Sequence, residues 1–131
     1  MHTEIEQVKS FHLAFEVPVQ SLPQIPPEER CVLRQRILQE EVDELNEAWQ
    51  QGNLTQVADA ITDCLYILFG TAHEFGIAHL LPACFEEVHR SNMSKLDEDG
   101  KPLKREDGKV IKSANYIPPN LKSIIEKEHY E

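Results

Sequence analysis

Five carboxylates in this sequence are spaced to do chemistry together: Glu40, Glu41 and Glu44 in one stretch, Asp59 and Asp63 in the next. Put the first stretch on a helix with Ile37 at zero and advance about 100° per residue. Leu33, Ile37 and Ala48 then share one direction, and Glu41 and Glu44 fall among them. The row Ile37, Glu41, Glu44, Ala48 has core spacing, so two acids take places where buried apolar side chains are expected. Glu40 lies at the border of that stripe, while Leu38, Leu45 and Trp49 make an adjoining apolar face. Asp43 and Glu47 point away, as solvated charges. On the following helix Asp59, Asp63, Tyr66 and Gly70 form a narrow row opposite a broad apolar face of Leu54, Val57, Ile61, Leu65, Leu68, Phe69 and Ala72. Two carboxylates one turn apart repel each other, and burying them unpaired is costly.

An acidic run such as residues 40–47 is in most proteins a solvated helix face. Here two core-type rows carry acids on helices joined by a short turn. The nearby Arg30, Arg34 and Arg36 can pair with one or two of them but not with all. A divalent cation resolves the conflict, because Mg²⁺ (or Mn²⁺) takes oxygen ligands and is commonly shared between carboxylates and substrate phosphates. No Cys/His cluster of zinc type competes with that assignment.

A later helix supplies the complement. Phe85, Val88, Asn92 and Lys95 recur at three, four and three, so Asn92 and Lys95 prolong an inward-facing stripe. A lone lysine near a helix end is usually solvated; beside a carboxylate cluster, Lys95 and Asn92 read as contacts to phosphate and sugar. Arg90 is a weaker candidate for the same role. Tyr66, next along the acidic row, and Phe11 and His12 near the N-terminus are candidates for contact with the rest of a substrate.

The elements that must position these residues are helical. A first helix is expected over Thr3–Glu16, then an extended connector carrying Pro18, Pro23, Pro26 and Pro27. A long second helix begins near Pro27, with Glu28 and Glu29 in its first turn, and stops at Gly52-Asn53. The third runs from Leu54 to Phe75 and ends at Gly76. The fourth begins near His79, tolerates Pro82 in its opening turn and reaches about Leu96. Residues 97–112 then hold a near-repeat, Glu98-Asp-Gly-Lys-Pro-Leu-Lys and Glu106-Asp-Gly-Lys-Val-Ile-Lys, read as a short hairpin or a pair of tight turns. Pro118-Pro119 leads to a short polar tail helix. The expectation is one all-α domain over 1–131, a four-helix bundle (1–96) with an irregular extension (97–131).

Composition narrows the class. The 131 residues carry a formal net charge of −10, which excludes a protein that grips nucleic acid through its phosphates. The apolar stretch from Ile61 to Leu81 is broken by Asp63, His73, Glu74, Gly76 and His79, so it is not read as a membrane span. Cys31, Cys64 and Cys84 lack metal-type spacing, and their odd number suggests reduced thiols in a cytoplasm.

Taken together these motifs resemble a known superfamily. Glu40-Glu41-Val-Asp-Glu44 is an E-E-x-x-E motif, followed on the next helix by Asp59-Ala-Ile-Thr-Asp63-Cys-Leu-Tyr. The pair resembles the all-α nucleoside triphosphate pyrophosphohydrolases, which include MazG, dimeric dUTPases and phosphoribosyl-ATP pyrophosphohydrolases. Glu87-Val-His-Arg-Ser-Asn-Met-Ser-Lys-Leu, the Asp-Gly-Lys turns and Asn115-Tyr-Ile-Pro-Pro are similar to a phosphoribosyl-ATP pyrophosphohydrolase-like branch. The opening Val8-Lys-Ser-Phe-His-Leu-Ala-Phe and the proline connector fit it too. One position departs: the superfamily's second motif is E-x-x-D, and Ala60 stands three before Asp63, leaving Asp59 as the replacement acid.

The resemblance implies cleavage of a nucleoside triphosphate between its α and β phosphates, with Glu41, Glu44, Asp63 and Asp59 as metal ligands. Glu40 would orient or deprotonate the attacking water, and Asn92 and Lys95 would hold the phosphate chain. It also implies a homodimer or a dimer of dimers. Hydrolysis of phosphoribosyl-ATP in histidine biosynthesis is a close alternative. A non-catalytic nucleotide- or metal-binding helical oligomer is the alternative from another class.

Overall fold

The computed structural model describes residues 1–127, so the last four residues of the expected extension lie outside the described residues. The fold class is all-α, as the sequence leads one to expect: four main helices and one very short sheet. The chain forms two compact units, Met1–His79 and Leu80–Glu131.

The first unit contains α1 (His2–Ala14), α2 (Glu28–Gln50) and α3 (Leu54–Glu74), and α3 packs against both of the others. Local chemistry sets each boundary. Pro27 is extended (ψ 147°) and opens α2, and Glu28 and Glu29 place negative charge at the positive end of the helix dipole. Gly52 turns the chain at φ +67°, and the Asn53 side chain then accepts the Gln56 backbone N–H at 3.1 Å, capping α3. α3 stops where Gly76 takes φ +71°; a Cβ there would run into the Leu22 carbonyl of the connector. The connector is not loose. Gln20 N donates to His73 O and Gln24 N to Phe75 O, both at 2.9 Å.

Much of the apolar face of α3 is left open, while small and polar side chains of the helix pack inward. Ala60, Gly70, Ala72, His73 and Glu74 are buried, and Asp63 is half-buried. Leu54 (79% exposed), Ile61, Leu65 and Leu68 (47–50%) stand open in the single chain. Small side chains at Ala60 and Gly70 let neighbouring groups come close on the polar side. The apolar side has no cover of its own.

In the second unit α4 (Leu81–Met93) follows a 3₁₀ turn at Ala78–Leu80, with Pro82 in its opening turn. Its end is shorter than expected, because Ser94 caps it: Ser94 Oγ donates to Ser91 O at 2.6 Å and receives Ile117 N–H at 2.9 Å. The near-repeat forms both readings at once. Asp97–Lys101 is a free-standing turn in which Asp97 Oδ1 accepts the N–H groups of Asp99 and Lys101. Arg105–Lys109 is the turn of a hairpin joining β1 (Leu103–Lys104) to β2 (Val110–Ile111), paired Leu103 with Ile111 and Lys104 with Val110. A last short helix, α5 (Lys122–Lys127), ends the described chain.

Candidate active site

α2 and α3 are antiparallel neighbours, so residues equally far from the turn at Gly52 reach the same height. Glu41 and Asp63 meet in this way. The carboxylate oxygens of Glu41, Glu44 and Asp63 all lie within 4.8 Å of one another, Glu41 and Asp63 half-buried and Glu44 at the surface. One oxygen of Glu41, Oε2, is buried with no hydrogen-bond partner among the described residues. Burial, hydrogen bonding to Glu44 and the charges of Glu44, Asp63 and Asp59 raise the Glu41 pKa from 4.5 to about 7. Burial first, and then Glu41 and Asp63, also push the Cys64 thiol upward. A buried acceptor without a donor, inside a knot of like charges, is an arrangement that could hold a cation. The donor set is all oxygen, which suits Mg²⁺ or Mn²⁺ and not zinc.

Asp59 stands outside this group. It is exposed and lines a groove of about 380 Å³ with Glu44, Glu47, Gln51 and Gln56. Glu47 is therefore part of the site's rim and not a charge turned away. The row Glu40, Glu44, Glu47, Gln51, at four, three and four, carries the signal that finds it. Glu40 is exposed, one turn before Glu44 on that row.

Tyr66 (39% exposed) follows Asp63 on α3 and meets Phe11 edge-on, ring centroids 5.6 Å apart; Phe11 in turn stacks on Phe15 at 4.5 Å. His12 is not at this surface. It is 2% exposed, its Nδ1 donates to Pro18 O at 3.0 Å, and burial lowers its pKa. The connector's carbonyl has claimed the ring, so His12 is a core group and Phe11 the exposed one. The arginines are likewise committed elsewhere: Arg30 and Arg34 pair with Glu74, and neither neutralises the cluster.

The three candidates on α4 and just beyond lie in the second unit. Asn92 is exposed and Lys95 half-buried, and with Phe85 65% exposed their stripe faces outward in the single chain. Arg90 grips Glu87 with two bonds (2.7 and 3.0 Å) and donates to Pro118 O at 3.3 Å. Glu87 also accepts Asn120 N–H at 2.6 Å; Arg90 and this N–H together hold its pKa down to about 2. Arg90 thus serves as a latch between α4 and the Pro118–Asn120 segment.

The profile of the phosphoribosyl-ATP pyrophosphohydrolases matches residues 8–92, well over half of the chain. The chain belongs to this family. No curated protein matches the sequence. Membership makes the protein a hydrolase of nucleotide pyrophosphate bonds, within the MazG-like superfamily. The matched span holds all five acids, Tyr66 and Asn92, and ends before Lys95. Among the described residues no single helix of this pyrophosphohydrolase is long and apolar enough to cross a membrane.

Proposed function

We propose that the chain hydrolyses a nucleoside triphosphate between its α and β phosphates, releasing the monophosphate and pyrophosphate, with Mg²⁺ held by Glu41, Glu44 and Asp63. The observation that carries this reading is the buried, partnerless oxygen of Glu41 inside the carboxylate cluster. A bound cation would supply a lower pKa for the attacking water and positive charge to offset the phosphates. Glu40, exposed one turn before Glu44, orients that water and takes its proton. Asp59 and Glu47 line the adjoining groove and would be the residues to hold any further cation there. Phe11 and Tyr66 offer ring faces beside the acidic row, where a base can stack. In the second unit, Asn92 and Lys95 offer groups suited to phosphate and sugar contacts.

The exposed Leu54, Ile61, Leu65 and Leu68 support assembly as a homodimer or dimer of dimers, since a solvent-exposed face of this size is unusual on a monomer. A second substrate reading, phosphoribosyl-ATP, is favoured by the family match itself. Both substrates place the same bond over the same acids. The deciding experiment offers a panel of nucleoside triphosphates and phosphoribosyl-ATP with Mg²⁺ or Mn²⁺ and scores pyrophosphate. Release from one class assigns the substrate. Orthophosphate in place of pyrophosphate would overturn the cleavage position, and no turnover together with no metal-induced rise in melting temperature would overturn the metal site.

A further inference from the structure

α2 and α3 bury a second charged group, and no step of the proposed hydrolysis uses it. Glu74 is 1% exposed. Arg30 grips it with two bonds, Nε to Oε1 at 2.8 Å and Nη2 to Oε2 at 3.0 Å, and Arg34 Nη1 lies 3.2 Å from Oε2. Arg34, 8% exposed, also donates from Nε to Thr71 Oγ1 at 3.0 Å and from Nη2 to Ile67 O at 2.8 Å. Gly70 makes room for it, since a Cβ there would stand 2.5 Å from Arg34 Nη2. The carboxylate is fully paired, so this is no ligand site. Nor is stability a sufficient reason for it, because apolar side chains of similar volume usually serve a buried triad's place as well or better.

Its geometry suits another task. Arg30 to Arg34 is four residues, matched by the four from Glu74 back to Gly70. Arg34 to Glu41 is seven, matched by the seven from Gly70 back to Asp63. Between the two sites lie aliphatic side chains of similar size, Ile37 and Leu38 on one helix and Ile67 on the other. The turn at Gly52-Asn53 sets the register at one end, but farther along an aliphatic seam leaves α2 free to roll or splay against α3, whereas directional bonds to Glu74, Thr71 and Ile67 do not. A roll of α2 by one residue position, about 100°, would carry Glu41 away from Asp63 and disperse the cluster.

We propose that the Arg30–Glu74–Arg34 triad is a positioning device that fixes how α2 is rotated and held against α3 away from the Gly52 turn and thereby brings Glu41, Glu44 and Asp63 together. This rests on reading those carboxylates as a cation site. Two full-chain variants test it, Arg34→Lys and the triple Arg30→Met/Arg34→Met/Glu74→Leu. Both are compared with the native chain in thermal melts, in Mn²⁺ affinity by electron paramagnetic resonance of the free ion, and in cross-helix methyl NOEs. Affinities are measured where every variant is fully folded. The expected result is a triple variant that melts near the native temperature, shows an altered NOE pattern, and binds Mn²⁺ about 10–100-fold more weakly, the range for loss of groups that orient ligands. Arg34→Lys should lie between, with kcat falling by a larger factor than KM rises. A triple variant with native NOEs and native Mn²⁺ affinity would overturn the proposal. So would a triple variant that fails to fold, since the triad would then be a source of stability that packing cannot replace. If the native chain itself binds no Mn²⁺, the cation reading fails, and the NOE pattern alone decides whether the triad sets the helix packing.

Discussion

Glu41→Gln should make the metal-free protein more stable and the enzyme inactive. In the folded chain the Glu41 carboxyl is raised from 4.5 to about 7, so it keeps a proton that the unfolded chain has released. Below pH 4.5 both states are protonated and the shift has no effect. As pH rises toward 7 the folded state progressively loses stability, and above 7 it bears the whole cost of a charge among like charges. At full worth that shift is about 3 kcal/mol. The proton belongs to the Glu41–Glu44–Asp63 group as a whole, and Glu44 is open to solvent, so screening brings the cost to about 1–2 kcal/mol. Glutamine keeps the shape and removes the charge. In EDTA at pH 8 the variant should therefore melt about 3–8 °C above the native chain, and near pH 4.5 the two should coincide. Mn²⁺ reverses the order, because it stabilises the native chain by binding and leaves the variant unmoved. Differential scanning calorimetry at the two pH values, with and without Mn²⁺, together with pyrophosphate release, checks every arm. A variant that melts lower at pH 8 in EDTA, or one that still gains stability from Mn²⁺, would refute the reasoning.

Gly70→Ala gains about 1 kcal/mol of helix propensity, but its methyl meets Arg34 Nη2 at 2.5 Å and His12 Nε2 at 2.6 Å, groups pinned by Glu74 and Pro18. The expected net loss is about 1–2 kcal/mol in urea unfolding, and a stabilised variant would show that this contact relaxes freely. Leu65→Lys with Leu68→Glu, on the open face of α3, should convert the proposed assembly to monomers in light scattering while the isolated chain keeps its helicity; an unchanged mass would refute an interface on this face. Glu87→Gln removes the charge from the Arg90 latch and weakens its hold on Asn120 N–H. Hydrogen exchange at Asn120 should quicken about tenfold or more, a loss of protection on the scale of one charge-assisted bond, and an unchanged rate would mean that the Pro118–Asn120 segment is held without it.

The helices were legible because their limits are written in single residues. Pro27, Gly52-Asn53 and Gly76 each act locally through fixed φ, positive φ or a side-chain cap, and the structure breaks the chain at those points. The orientation of α3 was not legible in the same way. A helical projection finds the apolar face, but it does not say whether that face turns toward the chain's own core or toward another surface. Here Asp63 and Gly70 of the polar row turn inward while Leu65 and Leu68 are left open. That His12 is buried and Phe11 exposed was not legible for a similar reason. Periodicity alone treats the ring of a histidine as polar, while Pro18 O, six residues on, offers it a buried bond.

What the sequence did hold, unread, is a mirror at Gly52. Two antiparallel helices joined by a tight turn rise equally per residue, so positions equidistant from the turn face each other. Glu41 stands eleven before Gly52 and Asp63 eleven after; Arg30 and Glu74 stand twenty-two before and after, and Arg34 and Gly70 eighteen. Arg30 and Arg34 are thus drawn away from the acidic motif by a partner far along the chain. The same mirror puts Ala60 opposite Glu44, eight residues each way, where the superfamily's second motif has its glutamate. Ala60 is 2% exposed, so no other acid can enter that place from solvent. Asp59, one residue off the mirror, is rotated by about 100° toward the groove with Glu44 and Glu47. Its carboxylate lies outside the close group of Glu41, Glu44 and Asp63. The acid count is kept at the rim instead, which leaves Glu41, Glu44 and Asp63 as the inner set and makes Glu41's unpartnered oxygen the point at which a cation and a phosphate chain would meet the protein.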